Sequence, residues 1–358
     1  MQFRNLYLLS FFLILICYPS ALLGQDIPNS KDSTDKNVTF VPIPYLNYNR
    51  SMGVSFGAVP MIMYKLNKND TISPASISGA IGIYTTEKTW FAMAFNKFYF
   101  NEDKWRATLF GGRGNINFQF FLDHPLSPGY INYNTVADIF MVELQRKIIK
   151  DLYFGINYTY MKMDTKFDLG EGISQTVFFN GLGGIVSYDI RDDVYYPHKG
   201  LLINLKYSSY PEFLDNQFVS DKVELDYNHF FSMKNEKDVI GIRLYGGLGL
   251  GDLNFNQQFV IGRNDIRGYT QGKYRGEQIV ALQGEYRWNP YKKLGFVGFA
   301  GIASVFTSIN EDDNGKILPG AGAGFRYMVF PKNKMNVGMD VALGDGDWGI
   351  YFKIGETF

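Results

Sequence analysis

From about Val38 to Phe358, apolar and polar residues take turns along the chain with a period of two. Val337, Met339, Val341 and Leu343 share one face while Gly338, Asp340 and Ala342 share the other. Phe154, Ile156, Tyr158 and Tyr160 oppose Tyr153, Gly155, Asn157 and Thr159, and Leu282, Tyr286 and Trp288 oppose Gln283, Glu285 and Arg287. This is the pattern of strands whose two sides meet different surroundings. After the first two dozen residues no run of 18 or more apolar residues occurs, so helical membrane spans are excluded. Two architectures remain, a soluble sandwich or barrel with its apolar face inside, and a membrane barrel with that face in lipid.

Three features select the membrane barrel. The alternating stretches run roughly 10–14 residues, enough for the ~9–11 that a tilted spanning strand needs. Aromatic residues make up 17% of the chain and recur near strand ends, as interfacial girdles do. The N-terminus carries an export signal: Arg4, then the apolar run Leu6 to Cys17, then Pro19 and Ser20, with a small-residue cleavage region before Gln25. Residues 1–24 are thus expected to be a cleaved signal peptide, 25–37 a short polar periplasmic leader, and 38–358 an all-β transmembrane antiparallel barrel in the bacterial outer membrane. Cys17 is the only cysteine, and Ile16 before it is not the small residue that lipid attachment wants. A mature chain without cysteine excludes disulfides, Cys-ligated zinc and a catalytic thiol.

Candidate strands centre near residues 43, 58, 78, 94, 111, 140, 156, 183, 204, 225, 244, 282, 300, 323, 340 and 352. That is about sixteen, an even number as single-chain bacterial barrels have. The connections fall into a tight set, including Lys150-Asp151 and Asn289 to Lys293, and a set containing the long ones, Leu122 to Asn132, Met163 to Gln175 and Gly251 to Gly276. Short periplasmic turns opposite longer outer loops are the expected asymmetry.

Other chemistry is sparse. The 35 basic and 35 acidic residues balance, which argues against a nucleic-acid partner. His124, His198 and His229 are scattered and give no metal-ligand spacing. Asp123-His124 is an outer-loop pair that could serve a barrel protease, but it reads equally as a loop dipeptide. Turn chemistry accounts for Glu311-Asp312-Asp313-Asn314-Gly315 and Asp345-Gly346-Asp347. No P-loop, GxSxG or HExxH occurs. The expectation is a non-enzymatic protein with no cofactor and no metal.

One long loop carries a motif. Ile266-Arg267-Gly268-Tyr269 lies in a Gly-rich segment between two strands. It reads either as an ordinary surface loop or as a loop folded into the lumen, with Arg267 in a charge-assisted bond to an inward carboxylate, for which Glu285 on the next strand is the choice. Here the sequence resembles the BamA/TamA group of outer-membrane assembly and translocation barrels, the bacterial surface antigens. Members carry V-R-G-F/Y in the sixth outer loop, matched by Ile266 to Tyr269. Asp189-Ile190-Arg191-Asp192-Asp193 through Tyr196-Pro197-His198-Lys199-Gly200 is similar to the family's D-x-R-D…P-x-x-G turn, Glu285 to its acid on the following strand, and Gly355 to Phe358 to its terminal G-x-x-aromatic.

Two departures accompany the resemblance. Where the family has F-x-D-x-G, this chain has Phe299-Ala300-Gly301-Ile302-Ala303, so Gly301 and Ala303 replace the second carboxylate and the glycine. The family's periplasmic POTRA domains, which recruit clients, have no counterpart in the short leader. The resemblance implies a barrel that assists insertion or export of other proteins, with lipid and other outer-membrane or periplasmic proteins as partners, a separate client-delivery subunit among them. A weak seam is expected between the first strand (about Val41 to Tyr48) and the last (about Gly349 to Phe358). Pro42 and Pro44 would lack amide donors there, and Tyr45, Ile350, Phe352 and Ile354 are the other expected seam residues. Gly355 and Phe358 would close a C-terminal assembly signal, compatible with an interfacial aromatic anchor. The alternative is a passive pore or structural barrel in a larger complex.

Overall fold

The computed structural model describes residues 38–49, 52–122, 129–168, 173–233, 237–262, 265–330 and 334–358. The expected signal and leader lie outside these, as does His124. The described chain forms β1 (Val38–Asn49), β2 (Gly53–Tyr64), β3 (Ser76–Thr85), β4 (Trp90–Phe100), β5 (Trp105–Leu122), β6 (Gly129–Ile149), β7 (Leu152–Phe167), β8 (Ser174–Asp189), β9 (Gly200–Tyr210), β10 (Ser220–Met233) and β11 (Asp238–Gly251). A two-stranded ribbon, β12 (Phe259–Val260) with β13 (Arg275–Gly276), follows. The wall resumes with β14 (Gln278–Trp288), β15 (Leu294–Phe306), β16 (Leu318–Phe330), β17 (Met335–Gly344) and β18 (Asp347–Ile354). All except β12 and β13 pair antiparallel in sequence order and close as a sixteen-stranded barrel, β18 against β1.

The alternation becomes sidedness. Phe154 and Ile156 on β7 are 53% and 62% exposed, while Tyr153 and Asn157 on either side of them are buried at 1% and 4%. Outward Leu, Phe, Tyr and Trp side chains recur around the wall, so the apolar face surrounds the cylinder and the polar face lines it. β5 and β6 are 18 and 21 residues long. At ~3.4 Å per residue they run well beyond a ~30 Å hydrocarbon core. This corrects two loop boundaries: β6 already begins at Gly129 and β7 continues to Phe167, so residues expected in the loops at Leu122 to Asn132 and Met163 to Gln175 extend the wall instead.

The inner face is not uniformly polar. Ile43, Val59, Met61, Met63 and Ile77, the inward residues of β1–β3, form a buried apolar cluster. What covers them comes from the other end of the chain. Val337 on β17 shares the side of exposed Val341 and Leu343, and Phe352 and Ile354 on β18 pair with Met339 and Val337; all three of Val337, Phe352 and Ile354 pack into this cluster. The last hairpin thus tucks inside the first strands at the short-turn end, and the two ends of the sheet overlap.

The backbone pairing reflects this. β1 pairs with β2 along its whole length, from Val38↔Tyr64 to Asn49↔Gly53, but with β18 in register only at Tyr48↔Ile350. Side chains carry the rest of the junction: Tyr45 meets Phe352 edge-on at 5.8 Å, and Tyr48 meets Trp348 at 4.9 Å between ring centroids. Gly355 then turns the chain at φ +75. Pro42 and Pro44 are exposed on the outer side of β1.

The inward loop and its arginine cluster as candidate functional site

The segment between β11 and β14 enters the lumen. The β12–β13 ribbon gives it a base, and Ile261, Ile266, Tyr269 and Tyr274 bury themselves against Ile279, Ala281, Ala303, Val305 and Leu318 of the wall. Apolar burial of this extent, about 1.5–3 kcal/mol for each large side chain, is what holds a loop inside rather than in solvent. The wall must be bare where the loop lies against it. A Cβ on Gly320 would stand 2.4 Å from the Arg267 carbonyl oxygen, and Gly268 itself, at φ +109, approaches the Leu343 backbone so closely that a Cβ would come within 2.6 Å.

Arg267 is 2% exposed, and its guanidinium is held on four sides. Nη2 donates to Glu285 Oε2 at 2.9 Å, and Nη1 donates to Asp340 Oδ2 at 2.7 Å and to Thr357 Oγ1 at 3.2 Å. The plane lies 3.3 Å from the centroid of the Phe299 ring, a cation–π contact. Glu285 was the expected partner. The second carboxylate, missing at Gly301, comes instead from Asp340 on β17, two strands from β15. Gly301 has no room for an acid: a Cβ there would lie 2.5 Å from the Leu282 carbonyl oxygen and 2.9 Å from Gln283 Cγ. Ala303, at the family's glycine, packs under the loop.

The arginine is one of three. Arg287 Nε donates to Glu285 Oε1 at 2.9 Å, and Arg326 Nη1 donates to Asp340 Oδ1 at 2.5 Å. Glu356 approaches Arg287 Nε at 3.3 Å and Arg326 Nε at 3.4 Å. Arg287 Nη2 also donates to the main-chain oxygen of Phe358 at 2.8 Å. Three arginines and three carboxylates therefore interlock in a site where none of the six side chains is more than 4% exposed. Buried ions tolerate such surroundings only when paired and hydrogen-bonded, and each here has at least two oppositely charged neighbours.

The cluster ties the loop to the last hairpin. Besides Asp340 and Thr357, Tyr351 Oη accepts from Gly268 N at 2.9 Å, Asp347 Oδ2 accepts from Thr270 N at 2.6 Å, and Tyr269 Oη accepts from Asp345 N at 3.1 Å while donating to Pro319 O at 2.6 Å. Asp347, expected in an acidic outer turn, is a loop partner. The segment Gly355–Phe358, expected to continue the last strand, turns inward: the Phe358 ring lies 6.4 Å from that of Phe230 and within 2.9 Å of the Cβ position of Gly241, on the lumenal side of β10 and β11. Phe358 is therefore an inward anchor in this structure and not an interfacial one, because Arg287 and Phe230 offer it a partner for both ring and backbone.

The expected D-x-R-D turn is built by its own side chains. Asp189 takes Arg191 in a bidentate pair at 2.8 and 2.9 Å and also receives Arg106 at 2.7 Å. Asp192 Oδ1 accepts from the backbone of His198 and Lys199, and Asp193 Oδ1 from that of Tyr195 and Tyr196. His198 lies in this turn and His229 on β10. Among the described residues no group of three or more His, Cys, Asp or Glu is arranged to hold a metal ion.

Residues 74–358 match the Omp85 superfamily domain. The chain belongs to the Omp85 superfamily. Among solved structures, this Omp85 barrel is similar to BamA from Haemophilus ducreyi lacking POTRA domains 1–3, with a TM-score of 0.58 and 11% identity over 89% of this chain and 70% of that one. It is also similar to CdiB from Escherichia coli (TM-score 0.62, 10% identity, 89% of this chain and 62% of that one) and to CdiB from Acinetobacter baumannii (0.58, 15%, 89% and 60%). The chain thus spans less than two thirds of the length of either CdiB. No curated protein sequence matches. At such identities the likeness is one of fold. The protein is thus a sixteen-stranded β-barrel of the Omp85 superfamily, with the fold of the BamA and CdiB barrels.

Proposed function

We propose that this Omp85 barrel assists the insertion or export of other outer-membrane proteins by opening between β1 and β18, with its short-turn rim in the periplasm. The observation that carries the reading is the single registered pair, Tyr48↔Ile350, at that junction, against full-length pairing at the β1–β2 interface. Parting β1 from β18 breaks few backbone bonds, and a freed β1 edge is a template for a client strand by β-augmentation. Pro42 and Pro44 take amide donors out of this strand.

The inward loop fits the same reading as a brace. Through Arg267, Gly268, Tyr269 and Thr270 it holds β17, β18 and Thr357, so the movable edge leads from a hairpin fixed from inside. Nothing in this reading calls for a catalytic residue or cofactor.

Cysteines at Tyr48 and Ile350 test it. Cross-strand Cα atoms lie ~4.5–5.5 Å apart, within disulfide range. The oxidised barrel should lose client assembly in reconstituted membranes and regain it on reduction. Full activity of the locked barrel would overturn gating at this junction.

A second reading, a passive pore, draws on a lumenal cavity of about 500 Å³ lined by both charge signs, among them Lys97, Arg106, Glu143, Lys206, Glu224 and Arg243. Steady conductance in planar bilayers, unaffected by the Tyr48–Ile350 lock and without client activity, would favour it.

A further inference from the structure

Beneath the lumen, at the short-turn rim, the D-x-R-D turn and the 289–293 turn frame a recess of about 330 Å³. Its floor is apolar and aromatic, with Tyr196 and Met328 inside and Tyr291 standing 67% exposed at the edge. Its margin is cationic: Lys237, Lys292 and Lys293 all line it and are all exposed. Among the described residues, these three ammonium groups have no ion pair, and the described carboxylates nearby are turned to other partners. Asp193 holds Lys334 at 3.0 Å, Asp192 lies 3.7 Å from His198, and Asp238 accepts from Tyr286 Oη at 2.6 Å and from Asn289 N at 2.9 Å. Three exposed lysines without an ion pair among the described residues, set around an apolar floor, form a surface complementary to a carboxylate-bearing, partly apolar chain.

We infer that this recess docks an acidic polypeptide segment of a partner protein, with carboxylates on Lys237, Lys292 and Lys293 and an apolar or aromatic side chain seated over Tyr196 and Met328. The inference rests on the proposed reading for its orientation, which turns this rim to the periplasm, and it deepens that reading by naming the chemistry of the delivery partner. The lining residues Arg326 and Asn336 face the lumen, so the recess opens at the mouth of the barrel rather than toward the acyl chains. That position suits a soluble chain better than a lipid headgroup.

The test uses the whole barrel in zwitterionic-lipid nanodiscs and a fluorescent ten-residue peptide of alternating Glu and Leu with one central Phe, followed by anisotropy. Binding should weaken at least tenfold in the K237Q/K292Q/K293Q variant and for the same peptide with Gln at every Glu. It should also fall with salt, since these contacts are exposed. Three exposed Lys→Gln changes leave the wall intact, which heat-modifiable migration checks, and the Gln peptide tests the charge requirement without touching the protein. Equal affinity for the Glu and Gln peptides, or undiminished binding by the triple variant, would overturn the inference. So would displacement of the peptide by nanodiscs of anionic lipid, which would assign the recess to headgroups. The Tyr48–Ile350 locked barrel should bind the peptide normally, so a failure of gating and a failure of docking give different results.

Discussion

Replacing Asp340 with Asn is the sharpest perturbation of the lumenal cluster, because it changes charge with almost no change of shape. Asp340 has 0% exposure and serves two guanidinium groups: Arg326 on Oδ1 at 2.5 Å and Arg267 on Oδ2 at 2.7 Å. Asparagine leaves one acceptor and turns an amide donor toward a cation. It also leaves Arg267, Arg287 and Arg326 facing only Glu285 and Glu356. Removing one partner of a buried pair costs about 3–5 kcal/mol. The lower end applies here, since Arg267 retains Glu285 at 2.9 Å and Arg326 retains Glu356 at 3.4 Å. About 3 kcal/mol shifts the docked-to-released ratio of the loop by about 100-fold. The assay is trypsin cleavage at Lys273 and Arg275 in detergent or nanodiscs, at protease levels where the rate follows the open population. Cleavage should speed up about 100-fold in D340N and comparably in Glu285→Gln. A double-mutant cycle between Arg267→Gln and Asp340→Asn should show coupling of about 1–3 kcal/mol, as residues in direct contact do. A D340N barrel cleaved within about threefold of the parent, or coupling near zero, would refute the assignment of Asp340 as the loop's second carboxylate.

Other outcomes follow from the same geometry. Gly301→Asp, which restores the family's acid, should fail to rescue D340N and should lower the denaturation midpoint by itself, because its Cβ meets the Leu282 carbonyl oxygen at 2.5 Å. Gly268→Ala places a Cβ 2.6 Å from the Leu343 backbone at φ +109 and should raise loop cleavage through strain of about 1–3 kcal/mol, without changing the strand content seen by circular dichroism. His198 in the D-x-R-D turn has its pKa held below the usual value by burial. The folded value lies below the unfolded ~6.5, so its stabilising contribution is complete above that pH and is lost as pH falls through the folded value; His198→Gln should flatten the acid limb of a stability–pH curve.

Much of the barrel was legible because its physics is local. Two-sided strands must alternate, and all sixteen expected strand centres lie inside wall strands. The inward loop was legible through Ile266 to Tyr269 and Glu285, whose types and order carry the family's pattern. Asp340 was hidden for a different reason. It stands on β17, 73 residues from Arg267, and only the curl of the sheet brings them together. The one local sign was a lone carboxylate on an inward face otherwise made of Asn336, Gly338 and Ala342. Arg287 and Arg326 likewise read as ordinary lumenal residues until pairing set them beside Glu285, Asp340 and Glu356. The inward turn at Gly355 could not be read at all, since an alternating strand running to Phe358 looks the same whether its outer face meets lipid or the inside of β1. The apolar inner side of β1–β3 was a visible clue: Ile43, Val59, Met61, Met63 and Ile77 are wasted in a wet lumen and make sense only if something greasy is pressed on them.

That overlap gives the closed barrel a scroll-like junction at one place on its circumference. A hoop of hydrogen-bonded strands has its girth fixed by strand number and shear, and can widen only by tearing a ladder. In the opening proposed above, the outer leaf, β1, would slide over the hairpin that the loop holds, exchanging Tyr45 against Phe352 for neighbouring greasy contacts while every ladder from β2 to β17 stays whole.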